Sequence, residues 1–197
     1  MNNRGWKLGL VALSAAMATV LPMSSAQAAY ASNSGSYGTT FVDGDGALTD
    51  DFGDHFEELG NSLCYGCGES SSTDIVVLWQ AILVAEHYLD FQDVDGDFGP
   101  KTKEATIKWQ QSRGLAGDGM VGDATWSKAD DRLAWVGSTV RYKSAGLFGF
   151  VELHRGDTTK SQDGGAYHFH KVMQGDGVHV YDSTGTRIFH RVKTISY

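Results

Sequence analysis

One eight-residue pattern occurs twice in this chain and constrains the fold more than any other feature. Residues 95–102 read D-G-D-F-G-P-K-T and residues 118–125 read D-G-M-V-G-D-A-T, so both follow D-G-x-apolar-G-x-x-T. In such a stretch Asp can bond the backbone of its own turn, Gly permits a positive φ, and the apolar residue anchors the turn in a core. The chain is therefore predicted to make the same turn twice.

The sequence around the two copies predicts three helices. An apolar stripe with helical spacing follows Asp74, a predicted N-cap, and indicates a first helix that ends near Leu89. A second helix is expected over residues 100–112, because proline is tolerated at a helix start and Gly114 supplies a stop signal. A third, shorter helix is expected after Asp123. These elements would form a small bundle in which the repeated turns are the joints.

Residues 73–128 resemble the peptidoglycan-binding-like three-helix domain that is attached to many bacterial wall hydrolases. The family patterns V-x-x-L-Q-x-x-L, D-G-x-F-G-x-x-T-x-x-A-V-x-x-F-Q and D-G-x-V-G-x-x-T-W are met almost entirely, with Trp79, Thr106 and Trp109 as replacements. The motif positions include Val76, Trp79, Gln80, Leu83, Gly96, Phe98, Gly99, Thr102, Trp109, Asp118, Gly119, Gly122 and Thr125. The resemblance implies a domain that docks on the glycan or the stem peptide of peptidoglycan without cleaving it.

Within this region some motif residues are expected in the core and others at the ligand. Phe98, Trp79 and Trp109 lie on stripes that a small bundle must bury, and Gln80 is expected to tie a turn to the bundle. Sugars are held by an aromatic face together with fixed polar groups. The predicted ligand-binding residues are Asp95, Asp97, Lys101, Gln110 and Trp126.

The N-terminal residues have the pattern of a secretory signal peptide. The apolar run of residues 8–21 follows Arg4 and Lys7, and an A-Q-A cleavage signal ends at Ala28. A run of this length falls short of the ~20 apolar residues that a membrane-spanning helix needs. The mature protein is therefore predicted to be exported, extracellular or wall-associated, with no membrane span.

Residues 29–72 read as an acidic, Gly/Ser-rich linker that contains the chain's two cysteines. In an oxidising compartment, Cys64 and Cys67 are expected to form a local disulfide. A redox-active pair and half of a zinc site are the alternatives, but a βαβ setting and a second C-x-x-C are missing.

Charge and periodicity change towards the C-terminus. Residues 29–131 hold 5 Lys and Arg against 19 Asp and Glu, whereas residues 132–197 hold 9 against 5. Alternating patterns with Gly-rich turns then predict strands. The expected organisation is α+β, with a helical domain over residues 73–134 and a basic β-rich antiparallel domain over residues 135–197. The candidate strands are residues 140–143, 148–155, 166–173, 178–182 and 187–192.

The C-terminal segment also contains a cluster of histidines. His168-Phe-His170, with His154 nearby, resembles the H-x-H element with which some wall endopeptidases bind zinc. That family also needs an upstream H-x-x-x-D, which this chain does not reproduce, so no metal and no cofactor are predicted. The favoured function is a secreted, non-catalytic peptidoglycan-binding protein whose β-rich domain contacts another wall component, such as an anionic polymer, or a protein. Nucleic acid is not an expected partner, and a zinc-dependent wall hydrolase is the alternative.

Overall fold

The computed structural model describes the central part of the chain and several shorter stretches. The predicted signal peptide, most of the predicted linker and the last predicted strand lie outside the described residues. The described residues are 47–52, 62–68, 70–146, 149–155, 167–174 and 177–180.

Within these described residues, three α-helices precede five strands along the chain, which confirms the predicted α+β class. The helices are α1 (Asp74–Ala85), α2 (Pro100–Ser112) and α3 (Asp123–Asp130), and short 3-10 turns occupy Leu48–Asp50 and Phe91–Asp93. The strands are β1 (Leu133–Val136), β2 (Thr139–Lys143), β3 (Phe150–His154), β4 (His168–Gln174) and β5 (Gly177–Val180). In the described part of the chain, no helix combines the length and the apolar character that crossing a membrane requires.

The helix boundaries agree with the sequence signals except at the two ends of α1. Thr73 rather than Asp74 is the N-cap, because its hydroxyl accepts a hydrogen bond from Val76 N at 3.4 Å. The helix ends at Ala85, since His87 adopts a φ of 62° and Tyr88 N donates to Leu83 O at 2.9 Å. That bond closes the helix in the manner of a Schellman motif. The predicted start of α2 at Pro100 is confirmed.

The strands form one antiparallel sheet in the order β1-β2-β3-β4-β5, so each strand pairs with its neighbours in sequence. β1 was not predicted, and the predicted domain boundary between residues 134 and 135 lies within it. A two-residue connection joins it to β2, with Val136 opposite Thr139 and Gly137 at a φ of 62°. A positive φ at the first residue of such a connection is typical of hairpins.

Helix α1 is buried on every side between the other helices and the sheet. All 12 of its residues are buried, including the polar Asp74 and Gln80. On one side Trp79 contacts α2 and α3, whereas β3 and β4 pack against α1 from another direction. A helix that is apolar all round is stable only when it is covered all round. A single apolar stripe was predicted for this helix, and the second covered face was not predicted.

Gly149, just before β3, shows how closely the sheet approaches this helix. A Cβ atom at this position would lie 1.7 Å from the carbonyl oxygen of Ala85, the last residue of α1. Only glycine fits at such a backbone-to-backbone contact.

Three tryptophans form the centre of the helical core. The ring of Trp79 lies edge-on to Trp109 at 5.0 Å and to Trp126 at 5.5 Å between centroids. Trp126 was predicted to contact ligand, but only 1% of its surface is exposed and Phe52 covers it from the N-terminal side. The indole has no face open to a sugar, so Trp126 is a core residue and not a candidate for ligand contact.

A polar cluster, buried at Tyr142 and Trp109 and partly buried at Glu86 and Arg113, joins the helices to the sheet. The carboxylate of Glu86, which follows α1, pairs with Arg113 and accepts a hydrogen bond from Tyr142 of β2 at 2.6 Å. Tyr142 Oη in turn accepts a bond from Trp109 Nε1 at 3.2 Å, and burial together with Glu86 raises the pKa of its phenol. These groups satisfy one another, so the cluster can remain out of water.

A second cluster fixes the N-terminal segment. Asp51 pairs with Arg155, which follows β3, at 2.7 Å, and it also accepts a hydrogen bond from Tyr167 before β4. Phe52 N donates to Asp130 Oδ1 of α3 at 2.6 Å. Residues 47–52 therefore contact both the helices and the sheet.

The burial of Trp126 generates a prediction about stability. Trp109→Ala and Trp126→Ala should each lower the free energy of unfolding by about 3 to 5 kcal/mol, because each empties a space in the same core. Urea denaturation of the full chain would measure this loss. Trp135→Ala is the control, since 54% of that residue is exposed and the expected change is about 0.5 kcal/mol. A Trp126 variant as stable as the control would contradict the assignment.

The Glu86 cluster generates a second prediction. Glu86→Ala should lower the free energy of unfolding by about 2 kcal/mol, because Arg113 is then left partly buried without its counter-charge. The control Asp131→Ala removes the exposed ion pair with Lys128. It should change the free energy of unfolding by less than about 1 kcal/mol. Equal losses in the two variants, again measured by urea denaturation, would show that the buried cluster does not join the helices to the sheet.

Candidate functional site

Each copy of the repeated pattern is held by one buried glutamine. In the first turn, Gln80 of α1 donates from Nε2 to Asp95 Oδ1, Asp97 O and Thr102 Oγ1 at 2.8 to 3.1 Å. Its Oε1 accepts from the backbone N–H groups of Asp95 and Gly96. The expectation that Gln80 ties a turn to the bundle agrees with these contacts.

Gln110 of α2 makes the same contacts with the second turn. Its Nε2 donates to Asp118 Oδ1, Met120 O and Thr125 Oγ1 at 2.7 to 3.1 Å, and its Oε1 accepts from Gly119 N at 2.9 Å. Only 2% of the residue is exposed. Gln110 was predicted to bind ligand, but both ends of its amide are already occupied by the turn, which corrects that prediction.

The first glycine of each copy has the predicted conformation and the second does not. Gly96 and Gly119 have φ values of 81° and 74°, in the region that favours glycine. Gly99 and Gly122 are instead extended residues at the helix N-caps, with φ values of −80° and −107°. A positive φ is therefore needed only at the D-G step of each turn.

The two acidic candidates of the first turn serve its internal structure. Asp95 Oδ1 accepts from Asp97 N at 2.9 Å, as Asp118 Oδ1 does from Met120 N in the second turn. Asp97 Oδ1 accepts from Ser71 Oγ at 2.9 Å and from Ser72 N at 2.6 Å. These carboxylates bond the backbone and side chains around the turn, which accounts for their presence without a ligand.

A segment that the sequence analysis assigned to the linker lies across both turns. Leu63 forms a two-way backbone bridge with Val121 in the second turn, and Ser70 O accepts from Phe98 N at 2.8 Å in the first. Between these contacts, Cys64 and Cys67 form the predicted disulfide, with a Cα–Cα distance of 5.3 Å. This tight turn holds Tyr65 in an exposed position, with 57% of its surface accessible.

Of the predicted ligand-binding residues, Lys101 lines a cleft in the described part of the chain. The cleft has a volume of about 260 Å³ and is formed by residues 87–90 and Asp93 on one side and by α2 on the other. The side chains that α2 contributes include Lys101, Glu104 and Lys108. Lys101 Nζ pairs with Asp93 Oδ1 at 2.7 Å, and this contact raises the pKa of the ammonium group. The cleft was not predicted, because nothing in the helical periodicity marks residues 87–93.

The predicted histidine candidates meet on the sheet. His154 of β3 is opposite His168 of β4, and the rings of His154 and His170 are 4.8 Å apart between centroids. The pKa of His154 is lowered mainly by burial of its ring and, to a smaller extent, by the nearby His170 and His168. Within the described ranges, no group of three or more His, Cys, Asp or Glu side chains is arranged to hold a metal ion.

Glu152 of β3 lies beside these histidines and pairs with basic residues. Burial alone would raise the pKa of its carboxyl group, but hydrogen bonds from Lys171 and Arg141 outweigh burial and lower it. Lys171 Nζ is 3.0 Å from Glu152 Oε1, and His170 Nε2 is 3.5 Å from the same oxygen. Arg155 is likewise paired, with Asp51. Three of the basic side chains that give the C-terminal segment its positive charge therefore have acidic partners within the protein.

Comparison with known proteins supports the resemblance seen in the sequence. A family model described as "Putative peptidoglycan binding domain" matches residues 72–128. A protein of Kitasatospora aureofaciens, described as "Uncharacterized protein in bpoA1 3'region", is 58% identical over 38 residues. That stretch is 19% of this chain and 32% of the relative, so the similarity covers about a third of the relative's length. No solved structure matches the chain. Residues 72–128 thus have the sequence pattern of a peptidoglycan-binding domain.

Proposed function

We propose that this protein is secreted and binds peptidoglycan through residues 72–128 without cleaving it. The observation that carries the proposal is the pair of glutamine-held turns in the region that matches the family model. Secretion is supported by the signal-peptide pattern of residues 1–28 and by the disulfide between Cys64 and Cys67, a bond typical of oxidising compartments.

The binding surface must be built from groups that the turns leave open. Gln80, Gln110 and Trp126 are buried and engaged in the protein's own structure, so their contribution to binding is to hold the backbone in place. The cleft beside Lys101 and the exposed Tyr65 remain accessible on the helical part of the molecule. A pre-formed concave site with a few fixed polar groups is the usual form of a small-ligand site.

Co-sedimentation of the full chain with purified insoluble peptidoglycan tests this proposal. The full chain is the proper sample, because residues 73–134 alone would lack β3 and β4, which cover α1. We expect the protein in the pellet with peptidoglycan and in the supernatant with cellulose. The supernatant should contain no released wall fragments after prolonged incubation. Recovery of the protein in the supernatant of both samples would contradict binding.

Release of fragments would instead favour the alternative of a zinc-dependent hydrolase. The decisive variants are then His168→Ala and His170→Ala, because these residues carry the H-x-H pattern. Loss of fragment release and of bound zinc in both variants would establish that alternative. Release that persists in both would place the activity elsewhere in the chain.

For residues 135–197 we propose contact with an anionic wall polymer, supported by the excess of 9 basic over 5 acidic residues from position 132 onward. Binding to intact wall should then fall as salt rises, because exposed charges are screened within about 8 Å at physiological ionic strength. Binding to wall stripped of anionic polymers should change little over the same range. Equal retention on both preparations at every salt concentration would show that the charge plays no part in binding.

A further inference from the structure

The cleft beside Lys101 arises from a difference between the two halves of the repeat. Gln80 precedes its turn aspartate by 15 positions, whereas Gln110 precedes its own by 8. Because the second half makes the same turn with seven fewer residues, the additional length is not needed to form the turn. In the first half, that additional length supplies residues 87–90 and Asp93, which form one side of the cleft.

This longer loop is fixed at several points. Tyr88 N bonds Leu83 O where α1 ends, and Asp93 N bonds Asp90 O at 2.9 Å. Leu89 is buried, and its carbonyl oxygen accepts a hydrogen bond from Gln174 Nε2 of β4 at 3.0 Å. The loop is thus attached to both the helix and the sheet. A site with walls of this kind loses little conformational entropy when a ligand binds.

The groups around the cleft include both acidic and basic side chains. Asp90, Asp93 and Glu104 contribute carboxylates, and Lys101 and Lys108 contribute ammonium groups. The pair between Lys101 and Asp93 is no obstacle to a ligand, because 75% of the lysine side chain is exposed and such surface pairs contribute little. A lining with both signs of charge complements a ligand that carries both an ammonium group and a carboxylate.

We propose that the cleft binds the stem peptide of peptidoglycan and not its glycan. The inference rests on the proposed function and names the part of the polymer that is recognised. A stem peptide carries free carboxylates and, where it is not cross-linked, a free side-chain amine. The N-acetylated sugars of the glycan repeat have no amine for the acidic side chains to bind. Two rings line the cleft, the imidazole of His87, which is exposed, and the phenol of Tyr88, which is partly buried.

Calorimetric titration of the full chain with three soluble probes tests the proposal. The probes are the tripeptide Nα-acetyl-L-Ala-γ-D-Glu-L-Lys, the same peptide with its lysine Nε also acetylated, and an N-acetylglucosamine tetramer. The free-amine peptide should bind, and acetylation should weaken binding by about tenfold, the effect of losing one charge-assisted hydrogen bond. The sugar tetramer should bind more weakly than the free-amine peptide.

Two variants and a matched control locate the interaction. Glu104→Gln and Lys101→Gln should each weaken binding of the free-amine peptide by about five- to tenfold. The control Lys103→Gln makes the same change on the same helix, but Lys103 lies beside Gly119 of the second turn. This variant should bind the free-amine peptide as tightly as the wild type does. Thermal melting of all three proteins would establish that they are equally folded, since each replaced residue is exposed.

The outcomes separate this inference from the proposed function. If the wild type sediments with peptidoglycan but binds the peptide no better than its acetylated form, the inference is wrong and the proposed function stands. If the tetramer binds the wild type and this binding is lost in Glu104→Gln and Lys101→Gln, the cleft binds the glycan and the inference is wrong. Equal peptide affinity in all three variants would exclude the cleft. If the wild type does not sediment with peptidoglycan, the proposed function fails and the inference fails with it.

Discussion

The complete burial of α1 is the constraint on which the rest of the structure depends. Its sequence, D-I-V-V-L-W-Q-A-I-L-V-A, has apolar residues at almost every position, so no face of the helix can be left in water. In a helix with about 3.6 residues per turn, Val77, Ala81 and Val84 lie on the side opposite Trp79. The two shorter helices cover the tryptophan side, and strands β3 and β4 provide further cover.

Burying α1 in this way creates a polar requirement at the glutamine in its middle, and the D-G turn meets that requirement. Gln80 lies in the middle of the helix and is fully buried, so its amide oxygen and its amide nitrogen both need hydrogen-bond partners. The D-G turn supplies these partners, and the same hydrogen bonds fix the position of the turn on the bundle. The second turn repeats this arrangement with Gln110. The repeated sequence pattern thus encodes one hydrogen-bonding arrangement that occurs twice in the structure.

The same cover connects the helices with the sheet through specific contacts. Glu86 at the end of α1 bonds Tyr142 of β2, and Gly149 allows the backbone before β3 to reach Ala85. Leu89, in the loop that forms the cleft, is bonded by Gln174 of β4. The sheet therefore supports one wall of the proposed peptide site, although it lies outside the region that matches the family model.

Several features could be predicted from the sequence because they depend on neighbours along the chain. The two turns, the positive φ of Gly96 and Gly119, the start of α2 at Pro100 and the disulfide all follow from local geometry. The positions of Trp126, Gln110 and the cleft were decided by tertiary packing. Trp126 is buried because Phe52, 74 positions earlier, covers it, and the wall of the cleft is attached to β4 through the hydrogen bond from Gln174 to the carbonyl oxygen of Leu89. Local patterns specify which conformation each segment can adopt, whereas exposure depends on which distant segment covers it.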